Sequence, residues 1–318
     1  MAAVEGIATR DAYGEALVEL ARADRNVVAL DCDLGRSTRA YGITEVDPGR
    51  FVEMGIAEQD MISTAAGMSR MGKVVFVNSF AVFVTGHAFD QIRQQVALPK
   101  SNVKICGSSA GITQGTDGAT HQSIVDVALM RALPNMTVIV PADGRQTRQA
   151  VRLAHEIQGP VYLRLSRFGT GDFLPDDLGF ELGKAQSLRS GEDIVLVGCG
   201  PVLRNVLLAA DLLRRQHGLS VGVVNFHTLK PFDCAAVSRL AREYGHILTV
   251  EEHSILGGLG SAVAESLAES ADPNRRAILT RLGLRDCFGE SGTAEELLRK
   301  HGLDPEGIVK SVLQAVAG

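Results

Sequence analysis

A chain of 318 residues, 45% hydrophobic and 22% charged, has the make-up of a globular protein of about two domains, not of a disordered, collagen-like or disulfide-framed one. A net charge of −5 excludes the basic footprint that nucleic acid or an anionic membrane requires. Cys32, Cys106, Cys199, Cys234 and Cys287 are scattered without a CxxC pair, Met1–Asp11 carries Glu5 and Asp11 in place of an apolar leader, and no uncharged apolar run reaches the roughly 18 residues of a membrane span, so the expectation is a cytoplasmic protein with no metal centre of its own.

The predicted elements alternate. Apolar, β-branched runs at Asn26–Asp31, Lys73–Phe80, Asn102–Gly107, Thr137–Pro141 and Val161–Leu165 read as buried strands. Helical patterns at Asp11–Ala23, Glu58–Arg70, Thr85–Leu98, Ser123–Ala132 and Gly144–Gln158 fall between them. The pattern loosens in the Gly-, Pro- and Asp-rich run Phe168–Glu181, which marks a boundary. A second series follows, with strands at Asp193–Val197, Ser220–Asn225, His246–Val250 and Ala277–Leu282. Its helices are Val202–Gln216, Asp233–Tyr244, Gly260–Glu269, Thr293–Lys300 and Pro305–Ala317. The predicted fold is α/β: two domains, residues 1–170 and 186–318 joined by a linker at 171–185, each a mostly parallel sheet covered by helices.

Gly198-Cys199-Gly200-Pro201 follows a strand and opens a helix, but Leu203 stands where a dinucleotide fingerprint needs its third glycine, so a tight turn is the better reading. Gly257-Gly258 is read the same way. Glu58 begins a helix, where an exposed acid needs no function. Its company argues otherwise. Phe80 and Phe83 close the next strand, and the loop Gly111–His121 brings Asp117 and His121 to the end of the one after. Ligands of open α/β sheets bind beyond the carboxyl ends of the strands, so these segments converge on one crevice suited to a planar nitrogenous ligand and a polar substrate. Arg167 joins them after the last strand, as a bidentate donor for phosphate or carboxylate. Arg164 reads as a structural pair. His253, in Glu251-Glu252-His253, and His87, His155, His217, His246 and His301 read as packing or surface residues.

Several runs together carry a resemblance. They are Gly55-Ile56-Ala57-Glu58-Gln59, Asn78–Phe83, Asp117–Gln122, Leu133-Pro134-Asn135-Met136, Pro141-Ala142-Asp143, Leu165-Ser166-Arg167 and, more softly, Glu251-Glu252-His253 with Gly257–Gly260. In this order and spacing the chain resembles transketolase, specifically its pyrimidine-binding domain followed by its C-terminal domain. The resemblance implies thiamine diphosphate as cofactor. Glu58 and His121 are then catalytic, with Glu58, which favours the imino tautomer, on the pyrimidine nitrogen and Phe80 and Phe83 packing around the ring. Ser37, Asp117, His121 and Arg167 then bind the sugar and its phosphate. Two positions depart: Gly86 aligns with a third pocket aromatic, for which Phe89 is the candidate substitute, and Ser109 replaces a substrate-binding His.

The Gly-Asp-Gly run with which the family holds the diphosphate and Mg²⁺ does not occur in this sequence. The chain thus resembles the C-terminal subunit of a split transketolase. The implied partner is an N-terminal subunit carrying the diphosphate/Mg²⁺ domain, in a heterotetramer, with this chain forming a homodimer by itself. The implied reaction moves a two-carbon ketol unit from a ketose to an aldehyde acceptor. Rival expectations are a 1-deoxyxylulose-5-phosphate synthase-like subunit, the β subunit of a 2-oxo-acid dehydrogenase, and a scaffold that completes a partner's site.

Overall fold

A computed structural model describes residues 6–270 and 277–317; Glu5 and the rest of residues 1–5, 271–276 and 318 lie outside it. The first sheet contains β1 (Val27–Asp31), β2 (Phe51–Glu53), β3 (Val74–Phe80), β4 (Val103–Ser108), β5 (Thr137–Ile139) and β6 (Val161–Arg164). The second contains β7 (Gln186–Arg189), β8 (Ile194–Gly198), β9 (Val221–Asn225), β11 (His246–Ser254) and β12 (Ile278–Leu284). Between β9 and β11 lies β10 (Thr228–Lys230), which pairs antiparallel with β5 and so belongs to the first sheet. The strand orders are β10-β5-β6-β4-β3-β1-β2 and β12-β11-β8-β9-β7. Apart from β10 and β7 every pairing is parallel.

β1, β3 and β4 are buried along their whole length, as apolar runs between two helical layers must be. One layer is the pair Thr9–Ala23 and Gly144–Glu156, packed through Tyr13, Ala16, Leu17, Ala150 and Val151. The other begins with Glu58–Arg70, whose Met61, Ile62, Ala65 and Ala66 face the strands. Its core runs on without a break into the second sheet, through Val195, Val224 and Phe226.

Three expectations need correction. The segment predicted as a helix over Thr85–Leu98 is π-helical at Phe83–His87 and Ile92–Ala97, with a short α-turn, Phe89–Gln91, between. Phe83 therefore starts a helical turn and does not close a strand. The helix predicted from Ser123 begins at Asp126, because Ser123 forms a parallel bridge with Ala110 and its Oγ donates to Asp126 Oδ1 (2.9 Å).

The glycine turns read from sequence are turns. Gly200 has φ +69°, and a Cβ on Gly198 would lie 2.9 Å from Leu203 Cδ1. At Gly258 the helix Leu259–Glu269 does receive an anion, but it is the chain's own: Glu251 accepts from Leu259 N (2.7 Å) and Gly260 N (2.8 Å).

Candidate active site at the carboxyl edge of the first sheet

Because β1, β3, β4 and β6 are parallel, the segments that follow them emerge at one edge. Glu58 enters this edge as the first residue of its helix and is only 2% exposed. Ser79 Oγ donates to its Oε1 (3.1 Å) and His87 Nδ1 lies 3.0 Å from its Oε2. A buried carboxylate with two polar partners is no surface capping residue. His87, expected at the surface or in packing, is half-exposed and also meets the buried Glu58 carboxyl. Phe89, the candidate third aromatic, packs against the core, so the ring beside Glu58 is that of His87.

Phe80, next to Ser79, stacks on Phe83 with centroids 6.0 Å apart and planes 18° apart. His121 presents an edge-to-face contact to both, at 6.2 Å from Phe80 and 5.2 Å from Phe83. Phe80, Phe83 and His121, read separately from sequence, thus form one group, and Glu58 is linked to it through Ser79, the chain neighbour of Phe80. His121 Nδ1 also meets Thr120 Oγ1 at 2.9 Å.

Asp117 and Arg167 pair with each other: Arg167 Nη1 donates to Asp117 Oδ2 (2.9 Å), which also accepts from Gln114 Nε2 (2.6 Å). Beside them lies Arg10, a residue the sequence reading missed. Its backbone N donates to Ser166 O (3.2 Å), which anchors the helix start next to Arg167. Burial pulls the Arg10 guanidinium below its ordinary value, Asp11 opposes this, and Arg39 and Arg167 add to it. Its Nε is buried with no hydrogen-bond partner, 3.9 Å from Asp11 Oδ1. Arg10 and Arg167 are thus neighbouring guanidiniums, each beside an acid, Asp11 and Asp117. In sequence Arg10 lies just before the predicted helix Asp11–Ala23, with nothing to link it to Arg167.

Ser37 stands on the turn Gly35–Thr38 after β1, half-buried. Asp31 folds that turn, accepting from Leu34 N (2.7 Å) and Thr38 Oγ1 (2.6 Å). Burial pushes the Asp31 carboxyl up to about 7, against the pull of these hydrogen bonds. Among the described residues Ser37 makes no hydrogen bond to Asp117 or Arg167, so the structure does not join it directly to them.

Ser108 and Ser109, at the end of β4, are buried with unpaired hydroxyls, and Ser109 is held at φ +55°. The loop beyond is clamped by the second domain. Glu252 Oε1 accepts from Thr113 N (2.6 Å) and Thr113 Oγ1 (2.7 Å), and Gln122 Nε2 donates to Glu290 O (2.8 Å). Burial raises the Glu252 carboxyl, with Arg164 and the Thr113 bonds opposing. Arg164 is the structural pair expected, 2.7 Å from Asp126 and 3.0 Å from Glu252 O. His253 is buried, its Nδ1 donating to Ser254 O (2.7 Å), in keeping with a packing role.

Comparison with known proteins shows what the chain is similar to. A family model for the pyrimidine-binding domain of transketolase matches residues 5–170, and one for its C-terminal domain matches residues 183–308. A putative transketolase C-terminal section of Methanocaldococcus jannaschii is 43% identical, covering 96% of this chain and 95% of that one. A 6-deoxy-6-sulfo-D-fructose transketolase subunit, SqwH, of Clostridium sp. is also 43% identical, over 95% of this chain and 92% of that one. A solved structure described as a split gene transketolase, inactive beta4 tetramer, superimposes with a TM-score of 0.89 at 45% identity, covering 98% of this chain and 99% of that one.

Proposed function

This chain belongs to the transketolase family, and we propose that it is the pyrimidine-side subunit of a two-chain transketolase that moves a two-carbon ketol unit from a ketose to an aldehyde acceptor. The observation that carries the reading is Glu58: a buried carboxylate at a helix start, bonded to Ser79, which precedes Phe80 of the stacked Phe80–Phe83 pair at the carboxyl edge of the sheet. These residues fit the pyrimidine of thiamine diphosphate, since the rings offer an apolar wall for a flat heterocycle and the Glu58 carboxyl, when protonated, a donor to a ring nitrogen. When bound, thiamine diphosphate supplies the carbanion chemistry. The chain's own residues do the rest. Glu58 holds a proton at its carboxylate oxygen against the ring nitrogen. Phe80 and Phe83 exclude water from it.

Asp117 and His121 hydrogen-bond the sugar hydroxyls, and the unpaired hydroxyl of Ser109 adds a donor where a charged side chain would bind more strongly. Arg167 and Arg10 receive the terminal anion, with Ser37 reaching it from the turn after β1. A guanidinium pair serves a phosphate or a sulfonate, and the Clostridium relative is named for a sulfonated ketose. We assign the diphosphate and Mg²⁺ to a partner subunit, which accords with relatives named as a section or subunit of transketolase. The assembly is a two-fold heterotetramer, and this chain alone forms a homodimer or a higher oligomer. Among the described residues no helix is long and apolar enough to cross a membrane. The free thiols of the exposed Cys234 and Cys287 suit a reducing cytoplasm.

The test is equilibrium binding of thiamine diphosphate with Mg²⁺ to this chain alone and to this chain mixed with a Gly-Asp-Gly-bearing partner encoded beside it. Tight binding only in the mixture, accompanied by ketol transfer, is expected. Full activity of this chain alone would overturn the split site.

A further inference from the structure

We propose that His87 carries the proton of Glu58 to and from solvent, a relay that rests on the reading of Glu58 as the carboxylate facing the cofactor. Glu58 is enclosed. Its Oε1 is taken by buried Ser79, and its Oε2 by His87 Nδ1 at 3.0 Å. In the isolated chain the imidazole is 55% exposed while the carboxyl is 3% exposed, so there the ring spans from the buried acid to water. Two features hold it there. Gln59 Nε2, from the residue after Glu58, donates to His87 O (3.1 Å). His87 also ends the π-helical turn that starts at Phe83, and such turns recur at functional sites.

No other group nearby serves. The Cys32 thiol is raised to about 12, by burial first and then by Glu58, Asp31 and Glu53. Asp90, on the same segment, is held by Arg93 at 2.7 Å. His121, across Phe83, bonds to Thr120. Among the described residues His87 is the single ionisable side chain hydrogen-bonded to Glu58.

The step balances without a further reactant. The Glu58 O–H bond breaks as an N–H bond forms at His87 Nδ1, and the proton on Nε2 passes to a water, giving carboxylate, the other neutral tautomer and hydronium. The reverse sequence returns the proton. A half-exposed imidazole is suited to both directions.

Two measurements test this. In the isolated chain, nitrogen NMR should find His87 Nδ1 hydrogen-bonded to the Glu58 carboxyl, and Glu58→Ala should remove that signature; a His87 nitrogen spectrum unchanged by Glu58→Ala overturns the contact. In the complex with the partner, thiamine diphosphate and Mg²⁺, exchange of the cofactor's acidic carbon-bound proton into deuterated water is followed. His87→Ala and His87→Asn, both checked for folding and cofactor affinity, should slow it about tenfold or more, with added imidazole restoring the Ala variant. Asn keeps a hydrogen bond to Glu58 but relays nothing, so normal exchange in His87→Asn would reduce His87 to a structural prop. If Glu58→Gln leaves exchange intact, the underlying reading fails. If Glu58→Gln abolishes it while both His87 variants stay within about twofold of native, the reading stands and the relay falls.

Discussion

Replacing Glu252 by Ala tests whether the second domain sets the geometry of the substrate loop. Glu252 touches no proposed substrate position; it accepts from Thr113 N at 2.6 Å and Thr113 Oγ1 at 2.7 Å, at the root of the loop bearing Asp117 and His121. On removal the Thr113 hydroxyl retains Ser166 Oγ at 3.4 Å, but the buried N–H loses its acceptor. One orphaned backbone donor plus one lost bond to a carboxylate costs about 3 kcal/mol. At about 1.4 kcal/mol per factor of ten, that reduces the population of the ordered loop relative to its alternatives by about a hundredfold. Glu252→Gln keeps an acceptor oxygen and should lose about 1 kcal/mol. The assay is thermal unfolding of the chain together with steady-state kinetics of the assembled enzyme. Glu252→Ala should raise KM for the ketose by tenfold or more, against a small change in cofactor affinity, with Glu252→Gln in between. A folded Glu252→Ala with native KM would refute the clamp.

Other expectations follow from single contacts. Asp31 titrates at about 7 in the native chain against 3.8 unfolded, so its contribution to stability is full below about pH 4 and is lost as pH rises through 7. Buried His227, pulled down to about 4 by burial, acts in the opposite sense below pH 6.5. The difference between native and Asp31→Asn in urea unfolding at acid and alkaline pH therefore isolates Asp31, and an unchanged pH slope would remove it as the cause. Arg10→Ala should raise KM for a phosphorylated ketose about tenfold or more with little loss of kcat, while a ketose without the anion should be unaffected. Arg164→Met leaves Asp126 buried without its cation and should cost about 3–5 kcal/mol in denaturant unfolding.

Much of the site was legible because it rests on local punctuation. Glu58 at a helix start, Phe80 at a strand end and the Gly-bracketed Asp117–His121 loop occupy positions that strand–helix alternation brings to one edge of a parallel sheet. The paired arginines were half legible. Arg167 follows a strand, whereas Arg10 lies near the N-terminus and meets it only when the helix start hydrogen-bonds to Ser166. His87 lies at the surface as read, but its contact with Glu58 was not legible, because the two are 29 residues apart and the spacing follows a π-turn that no apolar period announces. β2 and β10 escaped for a different reason. Three-residue strands carry too little pattern, and β10 owes its strand conformation to pairing with β5 in the other sheet. The clamp by Glu252 is a long-range contact of the same kind. Its motif was visible, but the loop it grips was not adjacent in sequence.

The most direct test of the account is ketol transfer by the complex of this chain with its partner, thiamine diphosphate and Mg²⁺, comparing native Glu58 with Glu58→Gln. The two differ by one buried oxygen, so folding and assembly should be unchanged. Loss of a tautomer-directing carboxylate should lower turnover about a thousandfold or more, equivalent to about 4 kcal/mol of barrier at 1.36 kcal/mol per factor of ten. Near-native turnover in an intact Glu58→Gln complex would contradict the assignment of Glu58 as the carboxylate that serves the cofactor.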